Sequence, residues 1–316
     1  MGRRIGILFL SLISVIGHAQ QDPQFSQYMF NLAAFNPGYA GSSDMICLSG
    51  ANRQQWMGFE GHPSYSFFSA NAPIKPFGLN SGVGISILSD NLAFNKDLGL
   101  AATYAYRMSI GSGTLGIGIN IGLYNKSLSA SWYIPDIPGR TDIQQPAQDP
   151  SIPQESESQI AFDMGFGLYY NTDNLYFGIS STHLNQPTIS FETANPYLAR
   201  HYYAIAGYRF QLSNPLFEIL PSAIFRTDAR TNSFDICALV RYNKKFWGGV
   251  SYRAGDALIG IIGFELFNGV RFGYSYDFTL SDMGNSSTGS HEFTLGYCFS
   301  LSMDKAPQKY KSIRFL

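Results

Sequence analysis

GTLGIGINIGLY, Gly113 to Tyr124, alternates with period two. Leu115, Ile117, Ile119, Ile121 and Leu123 fall on one face, and Gly116, Gly118, Asn120 and Gly122 on the other. Successive side chains of a strand point to opposite sides, so this is a strand with one greasy face and one small or polar face. In a soluble sandwich the greasy face would meet a core; in a membrane barrel it meets lipid, and the small face lines the lumen. Composition favours the barrel. Charged residues make up only 14% of the chain, against about 25% in soluble domains. The 20 Tyr and 25 Phe suit the aromatic girdles of a barrel at the lipid interfaces.

The same alternation recurs. Phe162, Met164, Phe166, Leu168 and Tyr170 form one greasy face. Val270, Phe272, Tyr274, Tyr276 and Phe278 form another, and Phe293, Leu295, Tyr297, Phe299 and Leu301 a third. Read this way, the chain predicts an all-β fold, a transmembrane antiparallel barrel of about 14 strands over residues 46–301. The expected spans are 46–55, 64–71, 81–90, 97–108, 113–124, 160–170, 174–183, 200–211, 217–227, 233–244, 246–254, 256–266, 268–279 and 290–301. With the N-terminus in the periplasm, the even connections are mostly short. The odd ones include every long stretch: 125–159, 184–199 and 280–289. Short periplasmic turns and long external loops are the expected asymmetry of an outer-membrane barrel.

The first residues read as a secretory leader. Arg3 and Arg4 precede the apolar run Ile5 to Ile16, and Gly17-His18-Ala19 approaches a cleavage site near Ala19. The run is shorter than the roughly 20 residues of a spanning helix. Residues 1–19 are therefore a signal peptide, 20–45 a lead segment, and 302–316 a cationic periplasmic tail. Loss of Arg3 and Arg4 takes the net charge from −1 to about −3, with no basic excess for nucleic acid. Cys47, Cys237 and Cys298 lie in separate strand patterns without CxxC spacing, and read as small buried hydrophobes.

The lead segment is of another kind. QDPQFSQYMFNLAAFNPGYAG, Gln21 to Gly41, is too polar for a core helix and too rich in Asn, Pro and Gly for a long strand. Phe25, Tyr28, Met29, Phe30 and Phe35 supply apolar area, and Asn36-Pro37-Gly38 reads as a turn. Such a segment either folds into the lumen as a plug or packs beneath the barrel. The lumen-facing charges Arg53, Arg107, Asp163, Arg209, Arg226, Asp235, Arg241, Arg271, Asp277 and Glu292 are expected to neutralise one another and hold this block.

The block resembles the opening of the PorP/SprF family of Bacteroidetes outer-membrane proteins. The resemblance continues in RQQWMGFEGHP (Arg53 to Pro63), HYYAIAGYRF (His201 to Phe210) and LPS (Leu220 to Ser222). It closes with WGGVSYRAGDA (Trp247 to Ala257), GYSYDFTLS (Gly273 to Ser281) and GSHEFTLGY (Gly289 to Tyr297). It implies a component of the type IX secretion system, associated with gliding motility. Its implied partners are membrane lipid, secretion components such as the periplasmic ring, and adhesin-like cargo with a C-terminal sorting domain. Neither cofactor, metal nor small-molecule substrate is expected.

Candidate plug or partner-binding residues are Phe25, Tyr28, Phe30, Asn36, Pro37 and Arg53, with the loop aromatics Trp56, Phe59 and Trp132. An enzyme reading finds no support. The His residues lack metal-ligand spacing, GxSxG does not occur, and the Gly–Xaa–Gly pairs sit in strands with no following helix. The alternative is an outer-membrane channel for a small or hydrophobic solute, which predicts an open or gated lumen.

Overall fold

The computed structural model describes residues 22–129, 155–192, 195–266 and 268–300. The leader, the tail, Trp132 and most of the connection around it lie outside these residues.

Among the described residues, fifteen strands follow one another as an antiparallel meander. They are β1 (Ile46–Gln54), β2 (Ser64–Ile74), β3 (Ser81–Leu92), β4 (Asn95–Ile110) and β5 (Gly113–Leu128). Then come β6 (Glu157–Asn171), β7 (Leu175–Thr182), β8 (His201–Tyr208), β9 (Phe210–Gln211) and β10 (Phe217–Thr227). The last are β11 (Asn232–Tyr242), β12 (Phe246–Arg253), β13 (Ala257–Glu265), β14 (Val270–Thr279) and β15 (Ser290–Phe299). The expected span 200–211 is broken at Arg209, and β9 is a two-residue continuation of β8 along the same partner, β10. The wall thus has the fourteen staves that the alternation predicts. β1 pairs with both β2 and β15, and β10 with both β8 and β11, so the sheet closes without an edge. Closure gives every stave a hydrogen-bonded neighbour on both sides, as a span of hydrocarbon requires.

The outer face is apolar and exposed, as at Ile85, Ile121, Leu123 and Ile262. These are the positions that alternation assigns to lipid. The lumen face departs from expectation on one side. In β5 and β6 it is small, with buried Gly116, Gly118 and Gly167. In β8 to β13 it carries Ile205, Ile224, Leu239, Ile259 and Ile261, all at most 2% exposed. The reason is that this part of the lumen is dry. These side chains form one core with Phe25, Tyr28, Leu32 and Phe35 of the lead segment.

The cysteines are corrected. Cys47 of β1 and Cys298 of β15 form a disulfide across 251 residues of chain, and only Cys237 is free and buried. Strand patterns that are far apart in sequence become neighbours when a barrel closes. The register sets Cys47 opposite Cys298, with Cα atoms 4.1 Å apart.

Candidate functional site

The lead segment makes three successive 3-10 turns, Tyr28–Phe30, Leu32–Ala34 and Pro37–Tyr39. It runs through the lumen from one mouth to the other. Asp22 lies against Thr182, His183 and Tyr203, at the end where the long connections sit. Gly41 lies against Ala72, Pro73 and Gly82, at the end of the short turns. Between them the segment touches walls on every side. Phe25 packs on Phe67 of β2, Phe35 on Tyr203 of β8, Phe30 on Trp247 of β12, and Tyr39 on Tyr169 of β6. The Tyr28 hydroxyl meets that of Ser222 of β10 at 3.0 Å.

One wall holds the segment by close approach. Asn36 caps the third turn, its Oδ1 accepting from the Gly38 N–H at 2.9 Å, and Pro37 occupies the first position of that turn, where its missing N–H costs nothing. The Asn36 amide donates to the Leu168 and Ile179 carbonyls of β6 and β7 at 2.9 and 3.2 Å. Gly38 lies directly on β5 and β6: a Cβ on it would come within 2.7 Å of the Gly116 carbonyl oxygen and 2.9 Å of the Tyr169 nitrogen. A Cβ on Gly118 would meet Pro37 and Gly38, and one on Gly82 would meet Ala40. The strand glycines are therefore the bed of the Asn36–Gly41 turn, where backbone lies on backbone.

The opposite wall holds it by charge. Glu292 of β15, Arg53 of β1, Asp277 of β14, Arg253 of β12, Asp235 of β11 and Arg226 of β10 form a chain of alternating sign, all at most 4% exposed. Arg53 reaches Asp277 at 2.8 Å and Glu292 at 3.4 Å; Arg253 reaches Asp277 at 3.3 Å and Asp235 at 3.0 Å; Arg226 reaches Asp235 at 3.0 Å. The lead segment completes it. Consecutive backbone N–H groups of Ser26 and Gln27 donate to the two oxygens of Glu292 at 2.6 and 2.9 Å. The Ser26 hydroxyl accepts from Arg53 at 2.7 Å and donates to Asp277 at 2.8 Å. Three cations and three anions cancel, and each carboxylate and guanidinium is hydrogen-bonded, which is the condition for burying charge.

At the long-loop mouth, Asp22 accepts from Thr182 at 2.9 Å and from the Tyr203 hydroxyl at 2.7 Å. His183 lies between Asp22 (3.2 Å) and Asp163 (3.0 Å). Burial alone would raise the Asp22 carboxyl, but the charges of His183 and then His201 outweigh it and hold Asp22 well below the usual carboxylate range. Burial would likewise lower His183; Asp22 and Asp163 outweigh it and raise it to about 10. At the short-turn mouth, a cavity of about 430 Å³ opens between the lead segment and β6, β7, β10 and β11.

Of the residues singled out from sequence, Phe25, Tyr28, Phe30, Asn36, Pro37 and Arg53 come together in the lumen. Trp56 and Phe59 lie apart from them in the β1–β2 connection. There the Trp56 N–H donates to the Ser290 hydroxyl at 3.0 Å, and Phe59 is partly exposed against His62. Among the lumen charges, Arg209 is not in the network; it bonds Asn174 and Asp173 at the rim. Arg241 pairs with Glu218 at 2.6 Å, and Arg107 with Asp44 at 2.7 Å. Sequence reading missed Arg253, Ser26 and the Asp22–His183 pair. Arg253 follows the lumen alternation of β12 and was recoverable. His183 lies just past the end of β7, where alternation says nothing. Among the described residues no group of three or more His, Cys, Asp or Glu could hold a metal ion.

Several outer-membrane barrels of known structure resemble this one. The Acinetobacter baumannii outer membrane protein Omp33 matches at 7% identity and TM-score 0.47, over 81% of this chain and 98% of its own. A Pseudomonas aeruginosa FadL homologue matches at 10% identity and TM-score 0.44, over 80% and 88%. A triple mutant of the Rhodopseudomonas blastica porin matches at 9% and 0.34, over 81% and 99%. No curated protein matches the chain. The family model of the type IX secretion system membrane protein PorP/SprF matches residues 17–297. The chain belongs to the PorP/SprF family of type IX secretion system membrane proteins.

Proposed function

We propose that this protein is a non-enzymatic outer-membrane component of the type IX secretion system, acting through its two mouths rather than through a pore. It assists export or surface anchoring of partner proteins, namely adhesin-like cargo with a C-terminal sorting domain, or links the barrel to the periplasmic ring. In this reading the short-turn end faces the periplasm, residues 302–316 are a periplasmic tail, and residues 1–19 are removed as a leader. The observation that carries this reading is the lumen, filled from Asp22 to Gly41 by the chain itself and locked by six buried charges. A filled lumen counts against a solute channel, because ordered residues occupy the path. What remains for function is binding at the ends, where the Trp56–Phe59 loop and the 430 Å³ cavity lie.

The test has two parts. Deletion of the gene should remove proteins with C-terminal sorting domains from the medium or the cell surface. A crosslinked pull-down from native outer membrane should recover such a protein or periplasmic ring components. An unchanged secretome together with a clean pull-down would overturn the proposal.

A further inference from the structure

At the long-loop mouth two carboxylates share one cation. Asp90 of β3 and Asp97 of β4 are direct cross-strand partners on the lumen side of the alternation. Like charges set opposite one another across a sheet repel. Lys126 of β5, next in the same row, reaches Asp97 Oδ2 at 2.7 Å, and the Tyr124 hydroxyl donates to the same oxygen at 2.9 Å. Asp97 is 7% exposed, yet its Oδ1 is buried without a hydrogen-bond partner among the described residues, and so is Oδ1 of Asp90. The neighbouring cations are engaged elsewhere. His183 lies between Asp22 and Asp163, Arg53 holds Asp277 and Glu292, and Arg200 donates to the Leu184 carbonyl. Buried carboxylates need a cation or donors, and this row is one cation short.

The course of the lead segment names the donor. The Asp22 N–H donates to His201 Nε2 at 3.2 Å, and the Asp22 carboxylate is near enough to act electrostatically on Asp90 and Tyr124. With residues 1–19 removed, only Gln20 and Gln21 precede Asp22, a reach of about 7 Å. Hydrolysis of the Ala19–Gln20 peptide bond leaves the carboxylate on the leader and an α-amine on Gln20. Such an amine, of ordinary pKa about 7.7–8.0, takes a proton at neutral pH. We propose that the α-ammonium of Gln20 binds between Asp90 and Asp97 as the missing cation, so that leader removal completes the plug. This rests on the leader removal proposed above and not on the secretion role. Tethering favours Gln20 over the guanidinium of Arg140, which lies far along the 125–159 connection.

The test uses the mature protein purified from outer membrane in detergent. Peptide mass spectrometry reads its N-terminus, then the rate at which a succinimidyl ester acylates it at pH 7. A free α-amine on Gln20 is expected. It should react at least about tenfold more slowly in folded protein than after unfolding in guanidinium, because each unit by which the carboxylates raise its pKa lowers the reactive free amine about tenfold. Asp90→Asn together with Asp97→Asn should restore most of the rate, while Lys309 of the tail reacts alike in both proteins. A chain that keeps its leader would overturn the proposal through the reading on which it rests. A Gln20 end that is cyclised, or that reacts as fast folded as unfolded, would overturn it and leave leader removal intact. Protection that survives both substitutions would give the carboxylates to another cation, Arg140 first, and overturn it as well.

Discussion

The two walls of the lumen hold the same segment by opposite means. Strands β3 to β7 present glycines, and the Asn36–Gly41 turn lies on them with backbone against backbone. Strands β10 to β15 and β1 present Arg and carboxylate side chains, and Ser26–Gln27 is caught by their charge. The first wall works by leaving out side chains, so its hold depends on shape and fails by crowding. The second works by completing a neutral network, so its hold depends on every member and fails by subtraction. The difference sets the ranking of what substitutions should do.

Subtraction from the charged wall should cost the most. Arg253→Ala leaves Asp235 and Asp277 short of a buried partner, a loss of about 3–5 kcal/mol. Thermal unfolding in detergent should shift downward, and the lead segment should become cleavable by protease in folded protein. An Arg253→Ala barrel as stable as the parent would show that the network is not what holds the segment.

The staple comes next. Cys47–Cys298 joins the first and last strands at the short-turn end, while Arg53 and Glu292 of the same pair face each other near the other end. Replacing both cysteines by Ser should lower stability by about 2–4 kcal/mol. Faster hydrogen exchange should appear in β1 and β15 before it appears in β5 and β6. Equal loosening of both walls would mean that the comparison is wrong.

Crowding the other wall should cost less. Gly118→Ala places a methyl group against Pro37 and Gly38, an overpacking loss of about 1–3 kcal/mol. Exchange protection should fall at Asn36–Gly41 and persist at Ser26–Gln27.

The smallest effect is at the long-loop mouth. His183 is raised to about 10, so its contribution is complete below its unfolded value near 6.5 and disappears as pH rises through about 10. Asp22 is depressed, so its contribution is complete above its unfolded value near 3.8 and is lost on acidification below that. Protection of Asp22 and its neighbours should therefore be greatest between about pH 4 and 6.5 and should fall on both sides, on acidification below that window and as pH rises through about 10. Asp22→Asn should flatten that profile and leave the charged wall unmoved.

These regions were unequally legible in the sequence. The greasy face of Gly113 to Tyr124 told of lipid, because period two is a local signal, and the strand count followed from it. The glycines of the same strand announced a small face, but their purpose depends on which residues arrive from 80 positions away. The charges announced that they would neutralise one another, yet their partners are set by closure. Arg53 of β1 can meet Glu292 of β15 only because the last strand returns to the first. The same closure hid the disulfide. Apolar lumen residues such as Ile224 and Ile259 could not be assigned because their partners belong to the lead segment, not to their neighbours in sequence. Asp22 and His183 lie outside the strands, where no alternation speaks for them.

A lumen filled from Asp22 to Gly41 by the chain itself should be closed to solutes. Conductance of the purified protein in a planar lipid bilayer tests it most directly. The account predicts no stable open level above background for the intact chain, and steps that appear only when Arg253→Ala or protease releases the segment. A stable, ohmic conductance from the intact protein, unchanged by either treatment, would contradict it.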